Sequence, residues 1–77
     1  MVITGKLIRA ARALAGWTQN DLGRTSGVPK STIKAIEAGQ TSRLIAANEQ
    51  LIIDAFDRAG VEFTNGEAPG VRLKPKG

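Results

Sequence analysis

The sequence predicts an all-α domain of four or five short helices that ends in a short β-hairpin or strand. Three observations support this prediction. Apolar residues recur at helical spacing within residues 4–15 and again within residues 48–59. Between them lie two short helical segments joined by a tight turn, with a capping signal at Thr18 and a glycine stop at Gly27. After Gly60 the apolar residues alternate instead, which is typical of strands.

Length and composition exclude several classes of protein. The chain has 77 residues, a net charge of +4 and no Cys, His or Tyr, so disulfides and thiolate or imidazole metal sites are excluded. One domain of this size buries only about 60–65% of its unfolded surface, so a partner subunit would add stability. No apolar run approaches the roughly 20 residues of a membrane span, and no signal-peptide pattern is present. We therefore expect a cytoplasmic protein without cofactors.

Charge is unevenly distributed along the chain. Residues 1–47 hold seven basic and two acidic side chains, residues 48–67 hold one basic and five acidic, and residues 68–77 hold three basic. A basic front with an acidic segment behind it orients a protein toward a polyanion. Many small domains share such asymmetry, so the charge distribution alone is weak evidence for nucleic-acid binding.

The first helix is predicted over residues 4–15. Thr4 is the expected N-cap, and Gly16 closes the helix. Its apolar stripe consists of Leu7, Ile8, Ala11, Leu14 and Ala15. Arg9 and Arg12 lie off this stripe, so the stripe predicts which side packs on the core.

The second helix is predicted over residues 19–25, followed by a turn. Thr18 is its cap, and Asp21 occupies the position where a capping box places an acidic side chain. Gly27 can adopt a positive φ and end the helix. Pro29 then favours a new helix start, because a missing N–H is tolerated at that position.

The third helix is predicted over residues 30–38. Ile33 and Ile36 face inward, together with Val28 from the turn. The other side carries short or cationic residues and no acid, namely Lys30, Ser31, Lys34 and Ala35. A short helix held by its neighbours and presenting such a face suits the DNA major groove.

A loop over residues 40–47 precedes a fourth helix over residues 48–59. Asn48 is the expected N-cap of this helix. Its predicted apolar face consists of Leu51, Ile52, Ala55, Phe56 and Ala59. Ile53 falls outside that face and marks either an interface or an isolated apolar residue on the surface.

The tail predicts two short strands, around residues 61–63 and 71–73. Turn signals at Asn65-Gly66 and Pro69-Gly70 lie between them. A lone hairpin is marginal in water and has open edges, so two arrangements are possible: packing on the fourth helix, or pairing with a second copy. In the second, the dimer interface consists of Val61, Phe63, Val71 and Leu73. The predicted organisation is a DNA-binding domain over residues 1–60 and a β extension over 61–77.

Residues 17–39 resemble the helix-turn-helix of the phage-repressor and Cro-like family, often called XRE-type transcriptional regulators. The motif is TQxxL followed by SGVPxSTIxxIExG, and several independent positions match in order. With the flanking helices the resemblance covers about four fifths of the chain. It implies a lambda-repressor-like bundle, with double-stranded DNA as partner and the third helix in the major groove.

The resemblance also implies roles for individual residues, each weighed against an ordinary solvated side chain. Base contacts fall to Lys30, Ser31, Lys34 and Ala35. Phosphate contacts fall to Gln19, Thr32, Thr41, Ser42 and Arg43. Arg12 and Glu37 form a structural ion pair. Many relatives carry Ser at the position of Pro29, which cannot cap through a side chain, and this blurs which residue reaches deepest.

Three functions were weighed. The first is a sequence-specific DNA-binding regulator, by default a repressor, acting as a homodimer on half-sites about one helical turn apart. The alternative is the antitoxin half of a toxin–antitoxin pair, which binds a toxin protein and its own operator. The third, an enzyme, is rejected because no carboxylate stands beside a nucleophile or metal-ligand cluster and no Gly-rich phosphate loop is present.

Overall fold

The computed structural model describes residues 3–64 and 68–75. In this part of the chain, four α-helices are followed by two antiparallel strands. The elements are α1 Gly5–Ala15, α2 Gln19–Ser26, α3 Lys30–Glu37, a 3-10 helix Thr41–Arg43, α4 Ala46–Arg58, β1 Val61–Thr64 and β2 Gly70–Leu73. The predicted mostly helical domain with a short C-terminal hairpin is therefore confirmed. The predicted turn at Asn65-Gly66 lies outside the described residues.

The start and end of α1 follow the sequence signals. Thr4 Oγ1 accepts a hydrogen bond from the Leu7 N–H at 3.2 Å, and Gly16 ends the helix with a φ of 72°. The buried stripe is narrower than predicted, since Leu14 remains 41% exposed. Leu14 lies about 60° around the helix from Ala11, at the edge of the stripe.

A capping box begins α2, as the sequence predicted. Thr18 Oγ1 accepts from the Asp21 N–H at 3.1 Å, and Asp21 Oδ2 accepts from the Thr18 N–H at 2.9 Å. Each residue therefore satisfies a backbone donor that the first turn of a helix leaves free. The helix continues through Ser26, one residue beyond its predicted end.

The predicted start of α4 at Asn48 was wrong. The helix begins at Ala46, and Ile45 occupies the N-cap position without a side-chain hydrogen bond. Asn48 is already inside the first turn, where its Nδ2 donates to the Arg43 carbonyl at 3.1 Å. Asn48 therefore ties the loop to the helix instead of capping the helix.

The predicted apolar face of α4 was also partly wrong. Ile52, Ala55 and Phe56 are buried, but Leu51 is 44% exposed, whereas Ile53 packs against the core. Leu51 and Ile53 lie about 100° on either side of Ile52, so periodicity alone does not distinguish them. The packing of α2 and β1 on α4 decides between the two sides.

An aromatic group occupies the centre of the core. Phe56 stacks on Trp17 with ring centroids 5.2 Å apart, and meets Phe63 edge-on at 5.7 Å. Phe63 brings β1 into the core, so the hairpin packs on the helices of its own chain. Ile3, which precedes α1 and which the sequence analysis did not single out, is also buried.

The two strands pair with each other in antiparallel register. Val61 lies opposite Leu73, and Phe63 opposite Val71. Val61 and Phe63 are buried at 1% and 8% exposure. None of the helices in the described part of the chain is long and apolar enough to span a membrane.

Candidate nucleic-acid interface

The turn between α2 and α3 fixes how α3 is presented. Gly27 adopts a φ of 81° and ends α2. Ser26 is buried, and its Oγ donates to the Leu22 carbonyl at 2.7 Å and accepts from the Val28 N–H at 3.1 Å. A Cβ on Gly23 would lie 3.3 Å from the Val28 carbonyl oxygen, so the chain passes close to α2 here. The buried turn leaves little freedom in the position of α3.

One side of α3 is exposed and carries no acid. Pro29 is its N-cap and makes no side-chain cap bond, as its chemistry requires. Ile33 and Ile36 point into the core on one side. At about 100° per residue, the opposite arc of roughly 140° holds the predicted base-contact residues. Lys30, Ser31 and Lys34 are exposed, and Ala35 is half-buried.

The acidic residue of α3 is held away from this exposed arc. Arg12 Nε donates to Glu37 Oε2 at 2.9 Å, and Arg12 Nη2 donates to Glu37 Oε1 at 2.8 Å. Arg12 Nη1 also donates to the Trp17 carbonyl at 3.2 Å. The hydrogen bond to Glu37 raises the pKa of Arg12 above its ordinary value. This bidentate pair joins the end of α3 to α1 and keeps the carboxylate away from the exposed arc.

Gln19 occupies the first position of α2, but its side chain turns toward Glu37. Its Nε2 donates to Glu37 Oε1 at 3.3 Å. The sequence analysis gave this side chain an outward phosphate contact. An amide nitrogen has two hydrogens, so Gln19 can hold Glu37 and still donate once more.

The remaining predicted phosphate-contact residues surround α3. Thr32 is half-buried on α3, whereas Ser42 and Arg43 are exposed on the 3-10 helix that packs beside it. The backbone of Thr41 belongs to that helix, but its side chain lies outside what the structure describes. These residues therefore lie on α3 itself or on the segment that follows it.

Basic side chains divide into two groups by their partners. Within the described residues, one group makes hydrogen bonds to acids or carbonyls and consists of Arg12, Arg24, Arg58, Arg72 and Lys74. The other makes neither an ion pair nor a hydrogen bond and consists of Lys6, Arg9, Lys30, Lys34 and Arg43. Every member of the second group precedes the acidic segment. The sequence analysis missed Lys6 and Arg9, although the lack of any acid in the first helix was a visible signal.

The four residues considered for a dimer interface differ in exposure. Val61 and Phe63 lie in the core of their own chain. Val71 is half-buried, and Leu73 is 58% exposed. On this surface, only the β2 side presents apolar area to solvent.

Comparison with known proteins gives one match. A family model described as helix-turn-helix matches residues 8–44. The matched segment runs from within α1 to just beyond the 3-10 helix and contains α2, the turn and α3. No curated protein sequence matches the chain.

Proposed function

Because the chain carries an XRE-type helix-turn-helix domain, which is characteristic of DNA-binding transcription regulators, we propose that it binds double-stranded DNA sequence-specifically and acts as a repressor. In the proposed complex of this lambda-repressor-like domain, α3 enters the major groove. The observation that carries the proposal is the acid-free arc of α3. Lys30 and Lys34 stand on it without a partner among the described residues, while Glu37 is held behind it by Arg12.

Base readout falls to four residues on the exposed arc. Lys30 and Lys34 can each donate to guanine O6 or N7. Ser31 both donates and accepts, so it tolerates several bases, and the Ala35 methyl group can contact a thymine methyl. A cation meeting a base edge discriminates against the wrong base, so Lys30 and Lys34 carry most of the proposed specificity.

Phosphate binding falls to residues that flank the arc. Gln19 lies at the start of α2, where free N–H groups favour an anion. Thr32 lies on α3, and Thr41, Ser42 and Arg43 follow on the 3-10 helix. Such contacts fix the register of the protein on the duplex without reading its sequence.

We place the dimer interface at the outer edge of β2 and thus assign residues 61–77 as a dimerisation element. The Lys74 N–H donates to the Gly60 carbonyl at 2.7 Å, which makes that pair hydrogen-bonded. Because hydrogen-bonded and non-bonded pairs alternate, the backbone N–H and C=O groups of Val71 and Leu73 point away from β1. A second β2 could pair with this open edge antiparallel about a two-fold axis.

Selection of bound sequences from a random DNA pool, followed by footprinting, tests the proposal. We expect a two-fold symmetric site whose half-sites are centred about one helical turn, roughly 10 base pairs, apart. A reporter gene placed behind this site should be repressed when the protein is expressed. Failure to enrich any sequence would contradict specific DNA binding, and an asymmetric single half-site would contradict the dimer.

The antitoxin role stays a prediction from the resemblance. It overlaps with the proposed function, because an antitoxin commonly binds its own operator as well. Co-purification of the chain with a toxin protein encoded beside it would favour that role.

A further inference from the structure

We propose that Lys6 and Arg9 bind a DNA backbone phosphate at the cleft between the start of α1 and the end of α3. This inference rests on the proposed function and adds a contact zone on α1, outside the helix-turn-helix and the loop that follows α3. It also assigns a role to the two partnerless cations that the base and phosphate contacts above leave unused.

The cleft has a volume of about 630 Å³. Lys6 and Arg9 lie on its α1 wall, whereas Ile36, Gly39 and Leu44 contribute to the opposite side. Glu37 also lines the cleft, but its two carboxylate oxygens accept hydrogen bonds from Arg12 and Gln19. The cleft thus joins two free cations with an acid that is already neutralised.

The position of this wall is fixed relative to α3. A Cβ on Gly5 would lie 2.4 Å from the Ile36 carbonyl oxygen and 2.8 Å from the Glu37 Cα. The first turn of α1 therefore lies directly against the backbone of α3, where only glycine fits. Lys6 and Arg9 follow Gly5 on this turn, so they are held beside the end of the proposed recognition helix.

The same two residues are unfavourable for α1 itself. They are like charges one turn apart, and the first turn of α1 contains no acid. A cation in the first turn of a helix also opposes the helix dipole, and this applies to Lys6. An anion bound between the two side chains would relieve both effects. A DNA phosphate is the anion that the neighbouring surface already selects.

The test compares the salt dependence of DNA binding between wild type and the double variant Lys6→Gln/Arg9→Gln. Binding is measured by fluorescence anisotropy on the operator that the wild type selects. We expect the plot of log affinity against log salt to become less steep by about 1 per cation removed in each half-site. The ratio of operator to non-specific affinity should stay the same, because a phosphate contact does not read sequence.

A charge-matched variant separates local contact from the overall field of the protein. Arg24→Gln/Lys74→Gln removes the same two charges, but these residues pair with Asp21 and Asp57 instead of lining the cleft. We expect it to keep the wild-type salt slope. Equal slopes in wild type and Lys6→Gln/Arg9→Gln, or an equal loss in the charge-matched variant, would overturn the inference.

Single methylphosphonate substitutions in the operator locate the contact. At one phosphate per half-site, neutralisation should weaken the wild type but not Lys6→Gln/Arg9→Gln. If no such position exists, the inference fails while the proposed function stands. If the wild type binds no DNA, or if Lys30→Ala leaves operator binding unchanged, the proposed function fails with it.

Discussion

Glu37 is the only acidic residue of α3, and its placement determines the charge of the exposed face. Its side chain is 5% exposed, and three donor groups from Arg12 and Gln19 surround it. Had it pointed outward, it would have faced the phosphates that Lys30 and Lys34 are proposed to approach. One ion pair therefore holds α3 against α1 and leaves its outer face cationic.

Replacing Arg12 by Ala should lower the free energy of unfolding by about 3 kcal/mol, because it leaves the Glu37 carboxylate buried without its cation. Urea unfolding followed by circular dichroism measures this change. Arg24→Ala is the matched control, since the Arg24–Asp21 pair is exposed and should contribute less than about 1 kcal/mol. Equal stability of Arg12→Ala and wild type would contradict the role given to this pair.

Residue-level prediction succeeded where a position has a single partner. The sequence paired Arg12 with Glu37, and the structure places their side chains in contact. It did not show that Gln19 also turns toward Glu37, because the direction of a long polar side chain depends on contacts that only the folded chain brings together. Lys6 was passed over because its significance depends on α3 packing against Gly5.

Among the secondary-structure elements, α2 has the strongest local signal. The hydrogen bond from the Thr18 N–H lowers the pKa of Asp21, and the nearby Arg24 cation lowers it further. A carboxylate whose pKa is lower in the folded state stabilises that state when it is ionised. The stabilisation is lost as the pH falls through the depressed pKa.

Asp21→Asn should therefore be less stable than wild type at neutral pH, by a margin that closes in acid. The margin should be fully present above about pH 4, the ordinary value for Asp, and shrink at lower pH. Thermal unfolding of both proteins at a series of pH values measures it. A margin that stays constant down to about pH 2.5 would show that the charge of Asp21 does not stabilise α2.

Helix boundaries were predictable where a cap or a glycine acts locally, and not elsewhere. Thr4, Thr18 and Gly27 each act where the sequence placed them. Asn48 was a good cap by type, but α4 starts earlier because its first turn forms without a side-chain cap. The exchange of Leu51 and Ile53 has a similar origin, since neighbouring elements decided which edge of the apolar stripe is buried.

For the whole molecule, the basic surface and the hairpin point to assembly on DNA. The sequence predicted the hairpin but left open what it packs against. The structure buries Val61 and Phe63 in their own chain and leaves Leu73 exposed on β2. Whether two copies pair is not decided by one chain's contacts, so the dimer is a proposal that depends on the open strand edge.

Leu73→Lys should weaken the proposed dimer, because a charge on an edge strand opposes pairing with a second strand. Analytical ultracentrifugation over a range of concentrations measures the shift toward monomer. Arg72→Lys is the control, since Arg72 pairs with Glu62 within the hairpin and keeps its charge. A monomeric wild type at tens of micromolar, or a Leu73→Lys dimer as tight as wild type, would contradict the proposed interface.

The central claim is that the exposed arc of α3 reads DNA, and one binding measurement tests it most directly. Fluorescence anisotropy compares wild type, Lys30→Ala and the control Arg24→Ala on the selected operator and on a scrambled duplex. Lys30→Ala should lose about 1–3 kcal/mol of binding free energy on the operator and discriminate less between the two duplexes. Arg24→Ala should bind as the wild type does. If Lys30→Ala also binds both duplexes as the wild type does, α3 is not the element that reads DNA.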